Sequence, residues 1–231
     1  MPTVVITGAN RGIGLELARQ AGARGDRVIA GCRAPQRAAE LGALAEQYPL
    51  VEARALTVDD PASVAAFAAS LGTTPVDVLI NNAGVMGPPP EKQSLDHMDF
   101  DAWSECFSIN SMAPLRMVQA LRPLLEAAKP SKGVTITSQM GAIEVDMRFA
   151  IAYCASKAAV NKVMRLIAPE LSSRGIIVSL VHPGWVRTDM GGSSADISPE
   201  ESATGIWKVI DGLQPSDAGS FYSWTGEPHP W

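Results

Sequence analysis

The sequence predicts an α/β protein with a doubly wound parallel sheet of about seven strands, helices on both faces and a single domain over residues 1–231. Short runs rich in β-branched residues recur along the chain, and alanine- and leucine-rich segments with helical spacing lie between most of them. Strands that alternate with helices of this length form βαβ units, whose strands are parallel and covered on both faces. A chain of 231 residues fits one such domain.

The composition is typical of a soluble globular protein. Apolar residues make up 46% of the chain, and the formal net charge is −5. A mildly acidic chain without a basic run gives no basis for nucleic-acid binding, and no apolar stretch approaches the roughly 20 residues of a membrane span. We therefore expect a cytoplasmic protein without nucleic-acid or membrane partners. The three cysteines and three histidines are scattered, so neither a disulfide framework nor a metal site is expected.

The first predicted element is a strand at residues 3–6, "TVVI", which leads into a glycine-rich turn. Gly8, Gly12 and Gly14 lie between this strand and an apolar-periodic helical segment that runs to Gly25. A strand-to-helix turn exposes backbone N–H groups at a helix N-terminus, where hydrogen bonds and the helix dipole favour a phosphate. The spacing G-x-x-x-G-x-G differs from the commonest dinucleotide fingerprint, and alone it is a weak signal.

Six further strands are predicted in chain order. They span residues 27–31, 51–58, 76–80, 133–138, 175–181 and 219–224. Loops rich in Pro, Gly and Ser, at 87–94 and 188–199, follow the fourth and sixth strands. Because open α/β sheets bind ligands at the carboxyl ends of their strands, we expect these loops to form the walls of a substrate pocket.

The strongest local feature is the pair Tyr153 and Lys157 near the start of a long predicted helix. Residues four apart lie on one face of a helix. A phenol has an ordinary pKa near 10, and a neighbouring ammonium together with a bound cationic ring would lower that pKa. Such a pair could carry out acid–base chemistry.

Two polar residues are expected at the same cleft. Ser138 closes the predicted fifth strand, so its hydroxyl should emerge at the carboxyl end, where it could bind a carbonyl oxygen. Asn110 lies in a predicted buried helix, where an amide either satisfies the backbone or bends the helix and holds a water. Taken singly, each residue is also compatible with a purely structural role.

Together these residues resemble the short-chain dehydrogenase/reductase family over essentially the whole chain. Residues 7–14, "TGANRGIG", are similar to the cofactor turn of the family, and residues 81–84, "NNAG", to its fourth-strand motif. The catalytic tetrad of the family is matched by Asn110, Ser138, Tyr153 and Lys157. Within the family, "HPGWVRTDMGG" and the ending "WTGEPHPW" resemble the branch of C-factor and Sniffer-type carbonyl reductases.

The resemblance implies a Rossmann-type fold that binds NADP(H). The implied cofactor-binding residues are Gly8, Asn10, Arg11, Gly12, Ile13, Gly14, Arg33, Val58, Asn82, Ala83, Gly84, Tyr153, Lys157, Pro183, Gly184, Val186 and Thr188. NADP(H) is expected because Cys32 and Arg33 stand where an acidic residue would repel a 2′-phosphate. Arg11 could supply a second cation to that phosphate. Thr57 departs from the family pattern, since many members carry an aspartate there for the adenine amino group.

The resemblance also implies interconversion of a ketone or aldehyde and an alcohol. Ser138 would donate a hydrogen bond to the carbonyl, Tyr153 would transfer the proton, and Lys157 would lower the Tyr153 pKa and hold the ribose. Asn110 would anchor a water that reprotonates Lys157. The presumed pocket loops favour an apolar carbonyl substrate, because they carry Met86, Met140, Met147, Phe149, Trp185 and Met190.

Assembly and alternative functions complete the expectations. The predicted helix 151–174 carries more apolar surface than one sheet face uses, and the resemblance implies that it packs with the helix near 100–113 in a homodimer or homotetramer. An NADP(H)-binding signalling or redox-sensor protein of the C-factor type, with little turnover, is the alternative. Nucleotide-sugar epimerases and enoyl reductases are disfavoured, because the former run longer and the latter space Tyr and Lys more widely.

Overall fold

One parallel sheet organises the protein, whose computed structural model describes residues 1–146 and 149–231. Its strands are β1 (Thr3–Thr7), β2 (Arg27–Cys32), β3 (Val51–Ala55), β4 (Val78–Asn81), β5 (Ser131–Ile136), β6 (Ile176–His182) and β7 (Phe221–Ser223). They lie in the order β3-β2-β1-β4-β5-β6-β7, and all neighbouring strands are parallel. The predicted doubly wound sheet of seven strands is confirmed.

Helices connect the strands on both faces. They are α1 (Gly12–Ala23), α2 (Ala39–Gln47), α3 (Pro61–Ser70), α4 (Phe100–Phe107), α5 (Ala113–Ala127), α6 (Ile151–Ser173) and α7 (Pro199–Gly212). A π-helical turn, Ser108–Met112, joins α4 to α5. Three-residue 3₁₀ turns occur at Pro35–Arg37, Pro90–Lys92, Gln139–Gly141 and Pro215–Asp217.

Two apolar layers cover the sheet, and the alternation of side chains along each strand explains them. In β1, Val4 and Ile6 face a core built with α1, α2 and α7, whereas Val5 faces a core built with α3, α5 and α6. The α6 side chains Met164 and Val160 are fully buried in the second core. Helix α6 is therefore fixed against the sheet along its length. In its first turn, Ala152 and Tyr153 are buried as well.

The strand order reverses between β1 and β4, which makes a cleft at their carboxyl ends. Thr7 ends β1, and its hydroxyl oxygen accepts hydrogen bonds of 3.0 Å from the backbone N–H groups of both Asn82 and Ala83. This contact joins the two chain segments on either side of the switch point. The glycine turn and the segment after β4 therefore lie at one edge of the sheet.

The two outermost strands are covered in different ways. Beside β7, the chain folds back antiparallel, with Tyr222 bridged to Pro228 and the His229 N–H donating to the Phe221 carbonyl at 2.8 Å. In β3, Glu52 accepts hydrogen bonds from Arg27 and Arg54. Within residues 1–146 and 149–231, no helix combines the length and apolar character needed to cross a bilayer.

Candidate active site

The glycine turn packs against its neighbours too closely to admit a side chain at Gly8 or Gly14. A Cβ on Gly14 would lie 2.4 Å from both the side-chain amide nitrogen of Asn82 and the Gly8 carbonyl oxygen. Gly8 has a φ of +66°, and a Cβ there would lie 2.9 Å from the Cα of Ala83. The turn is thus packed directly against the segment 82–84.

The amino-terminal end of α1 projects from this turn, between Asn10 and Ile13. Arg11 is its N-cap residue and forms no side-chain cap hydrogen bond. The first N–H groups of a helix have no partner within the helix, so they are available to an anion unless a cap satisfies them. The geometry at the start of α1 is compatible with the expected anion site, which stays a prediction.

Arginine side chains surround the end of β2. Cys32 is buried as the last residue of the strand, and Arg33 after it is exposed. Arg37 is exposed at the end of the next 3₁₀ turn, and neither guanidinium forms an ion pair in the part of the chain that the structure describes. Arg37 was not among the residues predicted to bind the 2′-phosphate. Its position four residues after Arg33 could have indicated a second guanidinium beside that phosphate.

Arg11 differs from the expectation. Its guanidinium forms an ion pair with Asp189 at 2.7 Å, and both side chains are largely exposed. Asp189 lies in the loop after β6, so this pair spans the cleft between the two halves of the sheet. In the structure, the expected second cation for a phosphate is thus already paired with a carboxylate.

The segment expected beside the cofactor after β6 folds back toward the glycine turn. Val186 forms a parallel bridge with Ile197, and Gly184, which follows Pro183, has a φ of +88°. A Cβ on Gly12 would lie 3.2 Å from the methyl carbon of Thr188. The structure therefore brings the two predicted cofactor segments, which are far apart in sequence, into close proximity.

Val58, the expected adenine neighbour, lies three residues beyond the end of β3 and is buried. The predicted third strand was too long, because β3 ends at Ala55. The carbonyl oxygen of Val58 accepts a hydrogen bond of 2.9 Å from the Arg116 guanidinium on α5. The neighbouring Thr57 N–H donates to the Ser63 hydroxyl, so this segment is fixed by helices on the same face.

Tyr153 and Ser138 meet at the carboxyl edge of the sheet. Tyr153 lies in the first turn of α6 and is only 8% exposed, and its phenol lies near enough to the Ser138 hydroxyl for Ser138 to lower the phenol pKa. The Ser138 hydroxyl oxygen also accepts from the Met140 N–H at 3.1 Å. Ser138 follows β5 by two residues and caps the next 3₁₀ turn, so the predicted fifth strand extended too far.

Burial raises the Tyr153 pKa to about 12, even though the Ser138 hydrogen bond lowers it. The net shift of the Tyr153 pKa is upward, whereas Lys157 together with a bound cationic ring was expected to lower it; the combined effect of those two cations stays a prediction. The physical reason is that desolvation of a buried phenol penalises the phenolate more than the Ser138 hydrogen bond stabilises it. Tyr153 is consequently protonated at neutral pH, which is the form of a proton donor.

Lys157 is buried one helical turn after Tyr153. Its ammonium donates to the Ile136 carbonyl at 3.0 Å and lies 5.6 Å from the centre of the Tyr153 ring. Burial lowers its pKa to about 8. A Cβ on Gly84 would lie 3.3 Å from the Asn110 amide oxygen and 3.6 Å from the ammonium nitrogen, so Gly84 lies close to both side chains.

Asn110 lies in the π-helical turn, in agreement with the expectation that it could bend a helix. Its amide oxygen accepts from the Val85 N–H at 2.9 Å, and its amide nitrogen donates to the Val85 carbonyl and to the Ser156 hydroxyl at 2.8 and 2.9 Å. The side chain thereby joins the segment after β4 to the helix of Tyr153. These bonds hold Asn110 against the helix that carries Tyr153 and Lys157. Its expected role as a water anchor stays a prediction.

Apolar side chains remain exposed around this edge. Phe149, Trp185 and Met190 are each 45–58% exposed, and Met86 and Met140 are half-buried. Met147, the sixth expected pocket residue, lies outside the described residues. Exposed aromatic and methionine side chains beside a cleft are typical of a site for an apolar ligand.

Comparisons with known proteins agree with this geometry. A family model described as short chain dehydrogenase matches residues 2–197. The chain is 40% identical to C-signal from Myxococcus xanthus over 167 residues, which cover 72% of this chain and 99% of that protein. It is 34% identical, over the whole of both chains, to 1-hydroxy-2-glutathionyl-2-methyl-3-butene dehydrogenase from Rhodococcus sp. (strain AD45).

Solved structures show the same architecture. NADPH-bound carbonyl reductase from chicken fatty liver is 35% identical with a TM-score of 0.92, over 100% of this chain and 99% of that one. Carbonyl reductase Sniffer of D. melanogaster is 26% identical with a TM-score of 0.92 over the whole of both chains. These findings confirm the family that the motifs predicted and its branch of C-factor and Sniffer-type proteins. The chain belongs to the short-chain dehydrogenase family.

Proposed function

We propose that this oxidoreductase interconverts a ketone or aldehyde and an alcohol with NADP(H) as cofactor. The observation that carries the proposal is the buried Tyr153, which lies beside Ser138 and is followed by the buried Lys157 one helical turn later. This acid–base group lies at the carboxyl edge of the sheet, where the glycine turn also ends. The chicken and Sniffer carbonyl reductases support the assignment by their similarity.

The residues around the cleft fit NADP(H). The N–H groups at the start of α1 would bind the pyrophosphate, and Arg33 and Arg37 would bind the 2′-phosphate, because guanidinium groups match phosphate geometry. No acidic side chain follows Cys32 to bind a ribose diol instead. Lys157, near Gly84, would hold the nicotinamide ribose. When bound, NADPH supplies a hydride to the carbonyl carbon.

Side chains of the protein would bind the carbonyl oxygen of the substrate and supply the proton that it receives. Ser138 would donate a hydrogen bond that orients the substrate carbonyl, and the protonated Tyr153 would give its proton to that oxygen. The resulting phenolate is a buried anion. Lys157 would stabilise it, since a pKa of about 8 leaves the ammonium mostly protonated at neutral pH.

The direct test is a turnover assay with purified protein, NADPH and a panel of ketones, aldehydes and quinones. We expect loss of NADPH absorbance with apolar carbonyl compounds, in preference to small polar ones. Binding of NADPH without turnover of any member of the panel would contradict the enzymatic proposal. That outcome would favour the second candidate, an NADP(H)-binding signalling protein, for which the 40% identity to C-signal is the supporting observation.

We also propose that the chain forms a homodimer, alone or within a homotetramer, through α4, the π-helical turn and α6. Phe100 on α4, Met112 at the end of the π-helical turn and Leu166 on α6 are 67%, 50% and 65% exposed, although each is large and apolar. A symmetric dimer would bury them. Sedimentation should show a species of twice the chain mass at micromolar concentration, and a monomer alone would contradict this proposal. The cytoplasmic location expected from the sequence stays a prediction.

A further inference from the structure

Segment 139–146 follows Ser138, and its beginning is fixed against the catalytic helix. A Cβ on Gly141 would lie 2.6 Å from the Lys157 carbonyl carbon, so the two backbones are in direct contact. The Asn161 amide also donates to the Gly141 carbonyl at 3.2 Å. Movement at Gly141 is therefore restricted by α6 itself.

The far end of this segment is bound to a distant part of the chain. The Glu144 N–H donates to the backbone oxygen of Trp231 at 2.9 Å. The next residue, Val145, packs on the same apolar core as the Trp231 side chain. Between the two attachment points lies Ile143, a large apolar side chain that is 89% exposed.

Trp231 is itself fixed by contacts with two elements. The Arg165 guanidinium carbon of α6 lies 4.4 Å from the centre of its ring, within the range of a cation–π interaction. The Phe221 ring of β7 lies 5.6 Å away at an angle of 50°. An indole held by both a cation and an aromatic ring gives its backbone oxygen a defined position.

We propose that Trp231 is a positioning residue that fixes the far end of segment 139–146, and that Ile143 thereby contacts the apolar part of the substrate. The inference rests on the proposed carbonyl reduction for its kinetic part only. Ser138, whose hydroxyl would bind the carbonyl, directly precedes the segment, and Ile143 lies five residues later in sequence with an exposed apolar side chain. The ending "WTGEPHPW" thus acquires a role in substrate selection.

Amide hydrogen exchange tests the attachment without any substrate. In full-length Trp231→Ala, peptides within residues 140–146 should exchange about tenfold faster, which corresponds to about 1.4 kcal/mol of local stability. Trp231→Phe should restore most of the protection, and Arg165→Gln should show a smaller increase. Glu227→Ala changes an exposed side chain in the same ending and should leave exchange unchanged. Exchange in Trp231→Ala equal to that of the wild type would overturn the proposal.

Steady-state kinetics then test substrate selection. For a bulky apolar ketone, Trp231→Ala should raise KM by about tenfold with kcat nearly unchanged, because a displaced contact weakens binding of the substrate. A small ketone and NADPH binding should be affected much less. Faster exchange with an unchanged KM ratio would overturn the role in substrate selection. If the wild type reduces no carbonyl compound, the proposed function fails, whereas the exchange result still decides whether Trp231 fixes the segment.

Discussion

The cofactor side and the substrate side of this cleft are built by different means. On the cofactor side, Gly8 and Gly14 lie against the segment 82–84 so closely that a Cβ on either would collide, and the Asn82 side-chain amide donates to the carbonyls of Thr7 and Gly8. On the substrate side, buried side chains such as Tyr153 and Lys157 are placed by hydrogen bonds and by contacts with distant segments. The cofactor side leaves no room for a Cβ at Gly8 or Gly14. The substrate side instead depends on the proton and charge that individual side chains such as Tyr153 and Lys157 carry.

This difference predicts different responses to substitution. A change at a glycine on the cofactor side should act through sterics and alter cofactor binding. A change on the substrate side should act through proton transfer, charge or desolvation and leave cofactor binding nearly intact, except at Lys157, which would also hold the nicotinamide ribose. The following predictions test this division, from the largest expected effect to the smallest.

Tyr153→Phe should affect chemistry alone, since it removes one oxygen and keeps the ring. General acid–base catalysis contributes about 10²–10⁴ in rate, so turnover should fall at least about a hundredfold. NADPH affinity, measured by fluorescence titration, should change much less. Lys157→Ala is the informative comparison, because it should weaken both turnover and cofactor binding. Undiminished turnover in Tyr153→Phe would show that the phenol is not the proton donor.

Gly14→Ala should affect the cofactor side through sterics. Its Cβ would meet two groups at 2.4 Å, and overpacking typically costs about 1–3 kcal/mol. We expect a loss of stability toward the upper end of this range in urea unfolding and at least tenfold weaker NADPH binding. The matched control is Gly42→Ala in α2, where a Cβ meets nothing within 4 Å. Equal effects of the two substitutions would contradict the steric account.

His182, at the end of β6, should make stability depend on pH. Burial, with a smaller contribution from His229, lowers its pKa to about 4 from an ordinary 6.5. Below pH 6.5 the unfolded chain therefore binds a proton that the folded chain excludes, and stability is lost as pH falls toward 4. The loss amounts to about 2 kcal/mol at pH 5.

Urea unfolding between pH 7 and pH 5 measures this effect. His182→Gln should flatten the pH dependence by that amount, whereas His97→Gln, in an exposed loop, should not change it. A parallel pH dependence in the wild type and His182→Gln would show that the buried imidazole does not titrate as described.

Arg33→Ser should produce the smallest of these effects, because the guanidinium is exposed and screened by solvent. We expect about a tenfold lower kcat/KM for NADPH, equivalent to about 1.4 kcal/mol, with the value for NADH unchanged. Arg122→Ser on α5 is the control for loss of a surface charge. A wild-type enzyme that uses NADH as efficiently as NADPH would contradict the assignment.

The division also explains what the sequence could predict. The glycine turn and the Tyr153–Lys157 pair are local patterns, and the residues that form them lie close together in the chain. The π-helical turn at Ser108–Met112 could not be distinguished from an α-helix, since its residues fit both. Likewise, the ion pair of Arg11 with Asp189 joins residues far apart in sequence, so no local signal revealed it.

Strand ends show the same limit. The predicted third strand continued to residue 58, but pairing stops at Ala55, although the residues that follow keep the composition of a strand. The chain after Trp224 carries no periodic pattern, and its return along β7 depends on backbone hydrogen bonds and on ring contacts with the distant residues Phe221 and Arg165. Tertiary contacts therefore determined these boundaries, and propensity did not.

The covering of the outer strands has a consequence for colloidal behaviour. An open edge of a sheet is a template on which another chain can add a strand, and such additions lead to aggregates. Here Pro228, which has no N–H group, lies beside β7, and charged Glu52 and Arg54 occupy β3. Sheet-to-sheet growth is blocked at both ends. At high concentration, copies of this protein should therefore meet through helical surfaces and stay dispersed instead of forming fibrils.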